Sequence, residues 1–150
     1  MAGAADGGSI LVTAAVATIA PPRRPPANVR LGAEIAWTTL RVRRLVHRND
    51  LSTALERCRA AVPHPTPVPS RDEVVRISRA VRRTMGVLPG DSRGLVASLV
   101  LIAVLARRGV DASLVVGRPR NGFGAHAWVE VRGLPALPAA KDKFAQLAAL

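Results

Sequence analysis

The sequence predicts an α+β domain in which a helical half is followed by a small antiparallel sheet. Three observations carry this. From Ala33 to Arg108 apolar residues recur at helical spacing, interrupted by prolines and glycines rather than by strand-like alternation. Beyond Gly109 the pattern changes to short β-branched runs, Ala112 to Val116 and Ala125 to Val131, joined by a connection containing Gly, Pro and Asn. The length, 150 residues, suffices for one domain with a modest core and leaves little room for a second.

Residues 1–28 form a Gly/Ala-rich start, an apolar run from Ile10 to Ala20, and the linker Pro21-Pro22-Arg23-Arg24-Pro25-Pro26, whose prolines lack amide donors for regular structure. The apolar run is about half of the roughly 20 residues that a membrane-spanning helix needs. No basic residue precedes it and the proline-arginine stretch is a poor cleavage context, so it does not read as a secretory signal. The expectation is an edge strand or loosely held arm on a cytoplasmic protein without a membrane segment.

Residues 29–69 read as an N-terminal helical layer. From Ala33 to Val46 the stripe is Ile35, Ala36, Leu40, Val42, Leu45 and Val46, with Arg41, Arg43 and Arg44 largely opposite. A second helix is expected from Leu51 to Val62, capped by Asn49 or Asp50, with Cys58 on its apolar stripe as a small buried hydrophobe. Pro63 to Pro69 alternates proline with other residues and reads as an extended connector.

Residues 70–150 follow as the second part of one compact domain, 29–150. Ser70 and Glu73 make an S-x-x-E capping box opening a helix that ends near Gly86. After a loop over 87–93, Gly94 to Arg108 is apolar on nearly every side, the mark of a central buried helix; Arg107 and Arg108 suit its C-terminal dipole and Gly109 stops it.

Composition narrows the function classes. The net charge of +12, from 22 Lys and Arg against 10 Asp and Glu, makes an acidic partner plausible. Arginine-rich composition is equally a compositional bias, and no aromatic residues interleave with the basic ones as single-strand binders require, which leaves nucleic acid a weak reading. The lone Cys58 rules out an intramolecular disulfide, and three scattered histidines, His47, His64 and His126, give no metal pattern. No metal and no cofactor are expected. His47 reads as a helix-end residue and His64 as solvated within the connector.

Chemistry concentrates around His126. Strand alternation places Ala125, Ala127, Val129 and Val131 on one face and His126, Trp128 and Glu130 on the other. Taken alone, His126 reads equally as an ordinary half-buried strand residue. Its companion is the buried helix that begins after Gly90-Asp91-Ser92; a helix start stabilises a thiolate and its amides hold an oxyanion, so thiol peptidases place a nucleophile there and bring a histidine from a neighbouring strand.

Three stretches carry a family resemblance: Gly94-Leu95-Val96-Ala97-Ser98-Leu99 continuing to Val110, Leu114-Val115-Val116-Gly117, and Phe123-Gly124-Ala125-His126-Ala127-Trp128-Val129-Glu130 with Gly133. Over roughly residues 70 to 150 the chain resembles the transglutaminase-like leader peptidases of lasso peptide biosynthesis, related to the C-terminal domain of the microcin J25 processing protein. The resemblance implies a papain-related cysteine peptidase fold and removal of a leader from a ribosomally made precursor. It also implies two protein partners, a small leader-recognition protein and a lasso cyclase.

In that family the helix opens with Cys-Leu-x-x-Ser-Leu, and the cysteine falls at Gly94 here; the histidine falls at His126, and the aspartate near Pro138, where this chain has no acid. Asp142 is the nearest later carboxylate and the candidate to orient His126. Glu130 lies on the same strand face but two positions on, roughly 7 Å along the strand, and with Trp128 is the candidate to contact substrate. Ser92 reads as a cap, Ser98 lies a turn inside the helix, and Cys58 sits on a distant stripe; none replaces the thiol convincingly. Two readings stay open: a leader peptidase, and a non-catalytic relative that binds leader peptide or partners as a scaffold.

Overall fold

The computed structural model describes residues 26–60, 68–87, 93–119, 124–137 and 144–150. The N-terminal arm up to residue 25, most of the proline connector with His64, and Pro138 and Asp142 lie outside the described residues.

Helix α1 runs Ala27–Arg48, longer at both ends than the stripe predicted. It starts directly after Pro26, whose carbonyl accepts from the amides of Val29 and Arg30. Its buried face is Ile35, Thr38, Thr39 and Val42, whereas Ala36 and Leu40 of the expected stripe are exposed. Counting only apolar residues misplaced the face because threonine can be buried in a helix: Thr39 Oγ1 donates to the Ile35 carbonyl at 2.8 Å, satisfying itself within the turn.

Helix α2, Leu51–Arg59, is capped by Asp50, which accepts from the Thr53 amide at 3.2 Å and from the Thr53 hydroxyl at 2.7 Å. Asn49 instead caps the end of α1, donating from Nδ2 to the Leu45 carbonyl. Helix α3, Arg71–Gly86, opens on half of the expected box: Ser70 Oγ accepts from the Glu73 amide, whereas the Glu73 carboxylate pairs with Arg76; Asp72 and Glu73 meet the positive end of the helix dipole.

Helix α4, Arg93–Ala106, packs against α1, α2, α3 and the sheet. Val96 and every residue from Leu99 to Leu105 are buried, as the all-round apolar pattern predicts. The helix stops two residues before the expected Arg108, in a Schellman turn: the Val110 amide bonds the Leu105 carbonyl, that of Gly109 bonds Ala106, and Gly109 takes φ +69°. Arg108 donates to the Val104 carbonyl at 2.7 Å, as dipole complementarity predicts, and also grips both carboxylate oxygens of Glu34 on α1 at 3.0 and 2.7 Å.

The sheet is antiparallel, in the order β3-β2-β1-β4, with β1 Ser113–Pro119, β2 His126–Val131, β3 Leu134–Pro135 and β4 Phe144–Ala149. The register pairs Leu114 with Val129, Val115 with Trp128 and Gly117 with His126. Arg132 and Gly133, both at positive φ, make the tight turn that returns β2 into β3. The Ala-rich β4 carries no strand signature and was not foreseen; it exists because β1 offers it a ladder, which continues through Leu150, whose amide and carbonyl exchange bonds with Leu114. Arg59 at the end of α2 donates to the Leu150 carbonyl at 2.6 Å and ties that edge to the helices.

Among the described residues one apolar cluster joins both halves, with Ile35, Val42, Leu55 and Cys58 from the first two helices, Val81 from α3, Leu99 and Ile102 from α4, and Leu114 and Val129 from the sheet. Among the described residues no helix is long and apolar enough to cross a membrane.

Candidate functional site

Between α3, the first half of α4 and β2 lies a cleft of about 440 Å³. Its floor is apolar, with Val81 and Met85 from α3, Ala97 and Leu101 from α4, and Val129, Ala136 and Leu137 from the sheet side. Gly94, Ser98, His126 and Trp128 also line it, and Arg82 supplies a cation. The sequence-predicted pair, Gly94 and His126, therefore meets in one cavity although 32 positions separate the two (126 less 94).

Gly94 occupies the first turn of α4 and is exposed. Apart from its own turn of helix, a Cβ placed on it meets no heavy atom of the described residues within 4 Å, so these leave a side chain here in open space. At the place where α4 opens onto the cleft, the sequence thus supplies no side chain.

Ser98 fixes that place. Its hydroxyl is within hydrogen-bond distance of the Gly94 carbonyl, 2.9 Å, and of the Ala127 carbonyl on β2, 3.3 Å. A serine whose only proton is held between two carbonyls is a brace, not a nucleophile. Sequence reasoning weighed Ser98 only as a substitute nucleophile and missed this role; the signal was its i+4 spacing from Gly94, one helical turn.

His126 opens β2 after Gly124, whose φ of +109° favours glycine and turns the chain into the strand. The imidazole is exposed, and its ring lies 6.4 Å from the Trp128 ring at 25°. Trp128 is only 7% exposed, with its cross-strand partner Val115 fully buried, so the face that alternation left open for a site is covered at this point. Glu130 does not line the cleft: its carboxylate accepts from Trp128 Nε1 at 3.1 Å. The structure thus brings Gly94, His126 and Trp128 together and sets Glu130 behind Trp128 as its hydrogen-bond partner. Asp142 lies outside the described residues.

Cys58 is 2% exposed, lies within the core and lines no part of the cleft. Burial pushes its thiol up to about 11, with Arg41 pulling weakly the other way, which leaves it protonated and unreactive at neutral pH. Among the described residues no group of three or more His, Cys, Asp or Glu side chains could hold a metal ion.

No curated protein and no solved structure matches the chain. A family model does match, over residues 36–149, and that span takes in α1 from its tenth residue, all of α2 to α4 and the whole sheet with the cleft that it borders. With a match over that span, the chain belongs to the transglutaminase-like superfamily.

Proposed function

We propose that this protein acts in the maturation of a ribosomally made lasso peptide, receiving the precursor's leader in the cleft between α3, α4 and β2, and that as it stands it binds the leader without cutting it. The observation that carries this reading is the joint placement of Gly94 and His126 on one apolar-floored cavity, with open space at Gly94 where the resembling leader peptidases carry cysteine. Thiol proteolysis needs the sulfur to attack the scissile carbonyl while histidine takes its proton; a glycine leaves the histidine and the groove but nothing to acylate. Loss of a triad nucleophile removes most of the rate enhancement even where binding groups survive. The apolar floor suits side chains of an extended peptide, and Arg82 suits an acidic group beside them. A small leader-recognition protein and the cyclase are the partners this role implies.

The test is incubation of the purified chain with a lasso precursor and its recognition protein, in parallel with Gly94→Cys. Binding by both and cleavage by the variant alone supports the reading. Cleavage by the unmodified chain would mean an active peptidase with a different nucleophile, and absence of precursor binding by either form would end the proposal.

A further inference from the structure

A second cavity, about 340 Å³, opens on the far side of α1, where it meets α2, and shares no lining residue with the cleft at His126. Trp37, Leu40, Arg41, Arg44 and Arg48 of α1 form one wall and Arg57 of α2 another. Trp37, Arg41, Arg44 and Arg48 recur at i, i+4, i+7 and i+11, so they make a continuous stripe along one helix face. Trp37 is 61% exposed and Leu40 52%, in a chain whose residues are only 3% aromatic.

The electrostatics are one-sided. Among the described residues no acid lines this cavity and none of its four arginines takes part in an ion pair. The acids nearby in sequence are committed or turned elsewhere: Glu34 is gripped by Arg107 and Arg108, Asp50 caps α2, and Glu56 is not part of the lining. An exposed indole and leucine beside a row of arginines combine apolar and cationic surface, the residue types that dominate interface hot spots.

We infer that this groove docks an acidic protein segment carrying a leucine- or phenylalanine-sized side chain between its Asp and Glu residues. Charge selects this occupant. The chain's own N-terminal stretch brings Arg23 and Arg24 and no acid between Ile10 and Pro26, and a second copy would set the same arginine stripe against itself at +12 per chain. A nucleic acid would satisfy the arginines, but the groove offers a single aromatic platform and sets aliphatic Leu40 and Leu45 beside it, which suit a side chain better than a run of stacked bases.

The test uses the full chain and a labelled Asp/Glu-rich peptide with one central leucine, read by anisotropy and by the fluorescence of exposed Trp37. Saturable binding is expected, weakened by salt, and weakened about tenfold or more by Arg44→Glu, Arg48→Glu or Trp37→Ala. All three positions are exposed, so circular dichroism and the unfolding midpoint should stay unchanged, and His126→Ala should bind normally. The inference is overturned by no saturable binding, by binding that survives these variants, or by equal affinity for a peptide whose leucine is replaced by glycine. Tighter binding of single-stranded DNA of equal charge at physiological salt, or self-association abolished by the same variants, would also overturn it.

Discussion

Ser98 Oγ lies 3.3 Å from the carbonyl oxygen of Ala127, joining the second turn of α4 to the strand that carries His126. The bond ties α4 to β2 beside the cleft. Ser98→Ala should therefore cost about 1 kcal/mol in denaturant unfolding, the usual net value of such a bond. In Gly94→Cys background it should also lower precursor turnover more than precursor affinity. Unchanged turnover would show that the brace is not what positions the two elements.

Two thiols in one molecule give a pH test. In Gly94→Cys the new sulfur sits at an exposed helix start, so its pKa should fall below about 8.5 and alkylation should proceed at neutral pH. Cys58, pushed up to about 11, should resist alkylation until the chain unfolds. The sign for stability follows: below pH 9 Cys58 is neutral in both states and contributes no pH dependence. Between 9 and 11 the unfolded chain ionises first, so stability falls as pH rises. Cys58→Ala should remove that alkaline decline; mass spectrometry after timed alkylation, and melting as a function of pH, check both.

Glu34 and Arg108 join α1 to the end of α4 through a two-pronged ion pair whose side chains are each 21% exposed. Partly sheltered, bidentate and shared with Arg107, it should be worth more than an open surface pair. Glu34→Gln should destabilise by about 1–3 kcal/mol. A double-mutant cycle with Arg108→Met should return a coupling energy well above that of the exposed Arg76–Glu73 pair, and coupling equal to that pair would refute the ranking.

Asp50 should contribute to the acid limb of stability. Hydrogen bonds from the Ser52 hydroxyl, then from Thr53, hold its carboxyl well below the usual carboxylate range. A depressed folded pKa gives stability that is fully present above the unfolded value, about 4, and is lost as pH falls below it. Asp50→Asn should keep a cap for α2 yet flatten the decline of melting temperature below about pH 4. An acid limb identical to that of the unmodified chain would show that other carboxylates set it.

The helical half was legible because its signals are local. Ser70 with Glu73, the glycine stop at Gly109 and the unbroken apolar run of α4 each specify structure within a turn or two. What escaped were features decided by distant partners. β4 is a strand only because β1 pairs with it, and Trp37 and Leu40 are exposed because buried Thr38 and Thr39 turn the other face of α1 inward. At the site, Gly94 and His126 were readable as a pair from the resemblance. That Trp128 is covered and Glu130 engaged by it was not readable, since strand alternation gives the face but not what lies over it.

The burial of α4 has a further consequence. From Leu99 to Leu105 its every residue is anchored in the core, so packing there, together with the Ser98 bonds, directs its first turn. Chemistry at position 94 and persistence of the fold are then separable traits. A side chain introduced at exposed position 94 therefore probes the cleft without loosening the scaffold behind it.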